Sequence, residues 1–390
     1  MNMKTILKTS VAAAALMAVA APAMATIENG QPKVKLKVYG QVHKALLFGD
    51  DGNNSRTMVV DGQVSSTRLG FLADAPVNAD FSFGANLEME WRSNQGSAVQ
   101  INNGGTGGGT ANDNAQGSNN FTERKAEVTM THKRFGKVSL GQGDEASQDV
   151  SEYNLNGAAL ASGVLSATSY LTNTALYNKT TSAYVTTTLG AVFGNVDGDR
   201  DDRIRYDTPT FMGFTLSGSF TSGGGGAVGL KYDNKIGQFK ILGAVAYNND
   251  SGISATTEDE VAGSVSVLHD SGLNASFVYG VRNHKAATTA DDATFVGGSV
   301  GYIAKIFGVG PTAFSADYYK ATNINRANTA STTTEWETDT FGIGVQQDFS
   351  DIGSSVFLTY RNFSVDTSAA ITTTDIDDVN LVLAGVRVTF

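Results

Sequence analysis

The chain predicts an all-β protein: a transmembrane antiparallel β-barrel of about 16 strands, with a long loop folded inward. Three observations carry this expectation. Apolar and polar residues alternate through short segments along most of the 390 residues. The connectors between those segments take turns between a short set and a longer, polar set. Past the N-terminus, no apolar run approaches the about 20 residues that a membrane-crossing helix needs. A barrel strand needs only about 10.

The N-terminus reads as a leader. Lys4 and Lys8 precede the apolar run Val11 to Ala20, and Ala23-Met24-Ala25 follows as a small-residue cleavage site. Residues 1–25 are therefore expected to be a cleaved signal peptide, and residues 26–390 one barrel domain. The leader carries two lysines and no acid, so its removal leaves 26 Lys+Arg against 38 Asp+Glu, a net charge of −12 instead of −10. An acidic chain without a basic stripe argues against nucleic acid as a partner. With no cysteine, an exported protein of this kind does without disulfides. Forty-four glycines and five prolines suit tight turns and close strand packing.

The strands follow in order. In Lys35 to His43 the residues Leu36, Val38 and Val42 share one face. In Phe81 to Arg92 the apolar face is Phe81, Phe83, Ala85, Leu87, Met89 and Trp91, opposite Asn86, Glu88, Glu90 and Arg92. This period of two is a strand with one wet and one apolar side. Strands are predicted over 33–48, 64–74, 79–92, 121–132, 136–142, 201–208, 213–222 and 226–233. Eight more follow over 238–248, 259–269, 272–283, 293–303, 311–321, 336–349, 354–365 and 378–390. Short connectors lie at 74–78, 133–136, 208–213, 235–237, 269–272 and 350–353, and longer polar ones at 49–63, 93–120, 321–335 and 366–377. A soluble sandwich could alternate in the same way, but it has no reason to sort its connectors; an outer-membrane barrel does.

One connector is different in kind. Gln142 to Asn173 begins with Asp144, Glu145, Asp149 and Glu152 and continues through Gly157, Ala158, Ala159, Ala161, Ser162 and Gly163. Structureless loops beyond about 12–15 residues usually either function or stay disordered. This one is expected to enter the lumen and narrow it with carboxylates. Gly104 to Gly109 reads as a low-complexity external loop and not as a phosphate cradle, since no Lys-Ser/Thr follows it. Asp197, Asp199 and Asp201 have the spacing that opens a calcium loop, but Arg200 interrupts it and no Glu closes the frame, so no metal is expected. His269-Asp270 falls in an expected tight turn without a serine nucleophile or acid partner, which leaves no catalytic constellation to argue. No cofactor is expected either. The chain ends on strict alternation, with Val382, Ala384, Val386, Val388 and Phe390 on one face.

Several motifs together resemble those of the Gram-negative trimeric porins, the general diffusion channels of the outer membrane. They are Val38-Tyr-Gly-Gln-Val42, Ser66-Thr-Arg-Leu-Gly-Phe71, Phe135-Gly-Lys-Val-Ser-Leu-Gly-Gln142, Arg203-Ile-Arg-Tyr-Asp-Thr-Pro209 and the terminal Val386-Arg-Val-Thr-Phe390. The resemblance spans nearly all of the chain after the leader. It implies a homotrimer in the outer-membrane lipid whose C-terminal residues Val386, Val388 and Phe390 address the barrel-assembly machinery. It also implies a constriction, acidic on the third loop (Asp144, Glu145, Asp149, Glu152) and basic on the facing wall (Arg68, Arg124, Arg203, with Arg205 on the same strand face). The loop departs from the enteric pattern by lacking a Pro-Glu-Phe-Gly-Gly tip, and an extra stretch, Thr174 to Asp199, precedes the sixth strand. Arginine suits a wet constriction because it stays charged at any ambient pH. The alternative for Arg68 and Arg124 is an ordinary lumen ion pair with Glu88 or Glu127. The expected function is passive diffusion of small hydrophilic solutes and ions with moderate cation selectivity. The alternatives are a substrate-selective channel on the same barrel, an outer-membrane hydrolase and a soluble periplasmic sandwich.

Overall fold

The computed structural model describes residues 25–27, 33–102, 121–285, 292–324, 335–367 and 375–390. The expected leader, apart from Ala25, and the Gly104 to Gly109 tract lie outside the described residues. Strand β1 (Ala25–Ile27) lies along the start of β2 (Lys35–Asp50). Then come β3 (Ser55–Asp61), β4 (Arg68–Pro76), β5 (Phe81–Trp91), β6 (Phe121–His132) and β7 (Gly136–Asp144). A long excursion follows, holding α1 (Val164–Thr168), the hairpin β8 (Ala175–Asn178) and β9 (Ala183–Thr188), and α2 (Leu189–Val192). The wall resumes with β10 (Arg200–Asp207), β11 (Phe214–Thr221), β12 (Gly226–Ile236), β13 (Phe239–Asn249), β14 (Thr257–His269) and β15 (Leu273–His284). It ends with β16 (Ala293–Phe307), β17 (Gly310–Thr322), β18 (Trp336–Phe349), β19 (Ser354–Thr367) and β20 (Val379–Thr389).

Each wall strand pairs antiparallel with its neighbour, and β20 returns to pair with β2 from Gln41↔Thr389 to Asp50↔Asn380. At that seam Phe390 and Gly40 exchange both backbone bonds, at 2.8 and 2.9 Å. Closure leaves no free edge, which a sheet in lipid requires. β3 and β4 pair with successive halves of β2 and form one interrupted stave, so the closed barrel has 16 staves. This corrects one expectation: residues 49–63 are not a long loop. Asp51 to Asn54 make a tight turn, with the Asp51 carboxylate accepting from the Asn53 and Asn54 amides, and the chain re-enters the wall at Ser55.

Alternation sets the two faces. Outward side chains are large and apolar, such as Val228, Leu230, Val245, Val265, Val300, Ile343, Leu358 and Val386. Aromatic residues flank this band. Phe135, Phe211, Phe214, Phe239, Tyr302 and Phe307 lie toward the short turns, and Trp91, Phe121, Phe220, Tyr247, Tyr279 and Phe341 toward the long connectors. That is the outer surface of a membrane barrel. The buried core lies inside the barrel, between the excursion and the wall. Val150, Leu160, Val164, Tyr170, Leu171 and Phe193 pack there with Phe295, Tyr319 and Phe363.

Candidate constriction site

β7 and β10 are hydrogen-bonded neighbours, with Asp144↔Arg200 the last pair of the ladder. Residues 145–199 therefore leave and rejoin the wall at one point, and their path is read from their bonds. The Tyr153 and Leu155 amides donate to Ser264 Oγ and Ser266 Oγ of β14, at 3.1 and 2.9 Å. Asn154 and Asn156 reach Ser299 of β16 and Ser315 of β17. The Leu160 amide meets Gln346 Oε1 of β18 at 3.0 Å, and Thr359 of β19 donates to the Ala161 carbonyl at 2.8 Å. The Leu171 amide then donates to the Gly96 carbonyl. The loop thus crosses the lumen along its wall, satisfying its amides with small hydroxyl side chains.

A fully buried ion pair seats the far end of this path. Asp317, Gly342 and Arg361 form one cross-strand row. The Arg361 guanidinium reaches across β18 to Asp317 at 2.8 Å, and both side chains are 0% exposed. A Cβ on Gly342 would stand 2.5 Å from Arg361 Nη2, so only glycine leaves room for that reach. Asp317 Oδ2 then accepts from Ser162 Oγ at 2.6 Å and from the Gly163 amide at 3.0 Å. In the next row a Cβ on Gly344 would lie 2.7 Å from the Ala161 carbonyl oxygen. Two missing side chains let the loop lie flat on the wall. None of these four wall residues stands in a local motif; the signal is a row across three strands, visible only once register is known.

Between the loop and the β2–β7 wall lies a cavity of about 300 Å³. Arg68, Arg124, Lys125 and Arg200 line it from the wall, with Glu88 and Asp144; Asp149 and Glu152 line it from the loop. Arg124 Nε is 2.8 Å from Glu88 and its Nη1 is 3.3 Å from Glu90, while Arg68 is 3.5 Å from Glu88. The Tyr39 hydroxyl donates to Glu88 at 2.7 Å. Arg68 and Arg124 are thus both lumen ion pairs with Glu88 and lining groups of the narrow cavity. Glu127, the alternative acid, pairs with Arg203 instead.

The remaining expected residues are spread over other places. Asp144 ends β7 on the wall side, paired with Lys125 and with Arg200 Nε at 2.8 Å. The Arg203 side chain is 3% exposed; it binds Glu127 at 2.6 Å and the carbonyls of Gly141 and Asp144, bracing the root of the loop, and it does not line the cavity. Its place as a third arginine facing the loop is therefore corrected: the β7–β10 ladder covers it, and Arg200 and Lys125 face the cavity. Arg205 donates to Asp207 at 2.8 Å and to the Glu145 carbonyl at 2.6 Å, and it faces a separate cavity near the short turns. Glu145 turns toward a third cavity, of about 440 Å³, with Asp197, Asp199, Asp201, Asp250 and Glu260 against Arg200 and Arg282. Burial, then Asp250, Asp201 and Asp199, push its carboxyl up to about 7.

Carboxylate oxygens of Asp149, Glu152 and Asp197 converge within 4.8 Å. Burial first, and the Asp149 charge second, push Glu152 and Asp197 well above the ordinary carboxylate range. Crowded like charges of this kind favour the protonated form. The spaced acids Asp197, Asp199 and Asp201 do not converge: Asp199 accepts from the Arg200 amide and Asp201 from the Asp202 amide. At the C-terminus Val386, Val388 and Phe390 lie on the outer face, Phe390 at 47% exposure beside Gly40, while Arg387 is buried inward near Ser355.

A family model described as Gram-negative porin matches residues 12–389. The chain belongs to the Gram-negative porin family. It is an integral outer-membrane protein, a diffusion channel built as a closed 16-strand barrel. A comparison with curated sequences found no match. Among solved structures it is similar to the anion-selective porin from Comamonas acidovorans, at 15% identity and a TM-score of 0.58 over 92% of this chain and 100% of that one. It is also similar to the Salmonella typhi OmpF complex with daunomycin (14%, 0.53, 94% and 100%). A third is the trimer form of OmpT from Vibrio cholerae (13%, 0.52, 92% and 99%). At these identities the likeness is one of fold.

Proposed function

We propose that this porin passes small hydrophilic solutes and ions through a charged constriction, with moderate cation selectivity. The observation that carries the reading is the cavity of about 300 Å³ in which Asp149 and Glu152 of the inward loop face Arg68, Arg124, Lys125 and Arg200 of the wall. Charges lining a narrow wet passage choose among solutes by electrostatic barriers as well as by width. Within this cavity acids and bases nearly balance. The sign of selectivity therefore comes from the acid-rich cavity around Glu145 and from the net charge of −12 left once the two leader lysines are removed, as residues 1–25 are in this reading. The anion-selective relative differs in name, and the sign here rests on this chain's own acids.

The working form in this reading is a homotrimer, supported by the trimer form of a similar barrel and by a broad apolar outer face that cyclic symmetry can bury. Val386, Val388 and Phe390 serve assembly, through the C-terminal seam on Gly40. The deciding experiment is conductance and reversal potential in a planar bilayer. Discrete steps with a reversal potential displaced toward the cation are expected; absence of conductance from folded protein removes the channel, and an anion-directed potential removes the selectivity.

A further inference from the structure

We propose that the lumen holds a second solute station, on the short-turn side of the inward loop, that takes small carboxylates carrying hydroxyl groups, with Lys231 as its anion-binding residue. The inference rests on the channel reading above and names a solute class for it. The cavity measures about 740 Å³, within the range of small-molecule sites. Ala146, Gln148, Val150 and Tyr153 of the loop form one side, and inward residues of β10 to β13 form the other. Gln148, Val150 and Tyr153 face this cavity while Asp149, Glu152 and Asn154 face the constriction, so one loop segment serves both stations.

Charge pairing singles out Lys231. Of the four lining cations, Arg205 is held by Asp207, Lys240 by Asp233 and Lys235 by Asp270. Lys231 makes no salt bridge among the described residues. Its Nζ stands 4.7 Å from the centre of the Tyr153 ring, and Asp149 is the acid whose field reaches it most strongly. A half-buried ammonium that rests on a ring face, with no carboxylate in salt-bridge contact among the described residues, retains donors for an incoming carboxylate. Around it Thr210, Thr215, Gln148 and Asn234 offer hydroxyl and amide groups to a polyhydroxylated chain. The tyrosine face suits that chain's C–H edge. Acids dominate the cavity around Glu145, whereas this one presents Lys231 as a cation without a salt bridge among the described residues.

The test uses gluconate as the probe and glucitol, its uncharged counterpart, as control. In single-channel recordings at about 0.1 M salt, where screening still allows the attraction, gluconate is expected to interrupt the wild-type current and glucitol is not. Lys231→Met should weaken the block at least tenfold, and Lys231→Arg should keep it within threefold. Saturation-transfer NMR on the detergent-solubilised trimer reads the same binding without conduction, so a failure of the channel reading and a failure of the station are separable. Equal binding by wild type and Lys231→Met, equal block by glucitol, or an open wild-type channel indifferent to gluconate each overturns the proposal.

Discussion

Two arginine–carboxylate pairs touch the inward loop and do opposite work. Arg361 and Asp317 are sealed between the loop and β17–β19, and Asp317 Oδ2 accepts from Ser162 and Gly163 of the loop. Arg124 and Glu88 sit across the lumen in a cavity that the loop narrows without filling. Residue chemistry is the same in both. Burial decides that the first pair positions the loop, because stripping water from a charge makes any unpaired partner costly. The second pair is nearly as buried but lines the cavity beside the loop, and this place on the passage leaves it available to a passing ion.

The strongest way to break this contrast is to remove one half of the sealed pair. Asp317→Ala leaves Arg361 buried without its acid, a loss of about 3–5 kcal/mol. It should lower the temperature at which the folded form unfolds on a heat-modification gel and release the loop as flickering single-channel current. Asp317→Leu with Arg361→Leu should recover most of the stability, since replacing both ions with apolar groups is often near neutral. If the single and double variants behave alike, the pair does not hold the loop.

Next in size are the arginines that line the cavity. Arg68→Ala with Arg124→Ala should raise single-channel conductance and move the reversal potential further toward cations, with some loss of stability because Glu88 and Glu90 are left buried without these partners. The electrostatic part should fade with salt, because the screening length falls from about 10 Å at 0.1 M to about 3 Å at 1 M. Widening should survive. An unchanged reversal potential at low salt would place these arginines outside the ion path.

A smaller shift is expected from the loop acids. Asp149→Asn with Glu152→Gln should move selectivity toward anions, but by less than the charge count suggests, since burial and the Asp149 charge favour the neutral form of Glu152. Asp144→Asn should act differently, through Lys125 and Arg200, which it frees. A shift as large as that from the two arginine replacements would show the cluster fully ionised.

The smallest effect is in pH. The Glu145 carboxyl, raised to about 7, is neutral below that pH and charged above it. Cation preference should therefore grow as pH rises from about 6 to about 8, following a single ionisation near its raised value. Glu145→Gln should flatten that rise. Reversal potentials across the range read it directly.

Strand positions were legible because a period of two with one wet face needs no knowledge of neighbours. The expected strand 336–349 coincides with β18, and the expected strand 121–132 with β6. Residues 49–63 misled because polar Asp50 to Arg56 looks like loop, while Met58 and Val60 face the barrel interior beside the loop core. Arg68 and Arg124 were reachable as inward arginines on alternating strands. Arg203 was not placed correctly, since facing inward does not reveal whether a loop root covers the residue.

The amino-acid order by itself determined the barrel, its even count of staves, the apolar outer face and the presence of one acidic loop too long to be a turn. Those features depend on local periodicity and on connector length, both properties of neighbours along the chain. Which acids meet which bases was decided only by the tertiary structure. The row Asp317, Gly342 and Arg361 joins residues 25 and 19 positions apart in the chain. The division of residues 148–154 between two cavities depends on how the loop lies against the wall. Charge pairing inside a barrel is set by register and by the path of the loop, and neither is written in any short stretch of sequence.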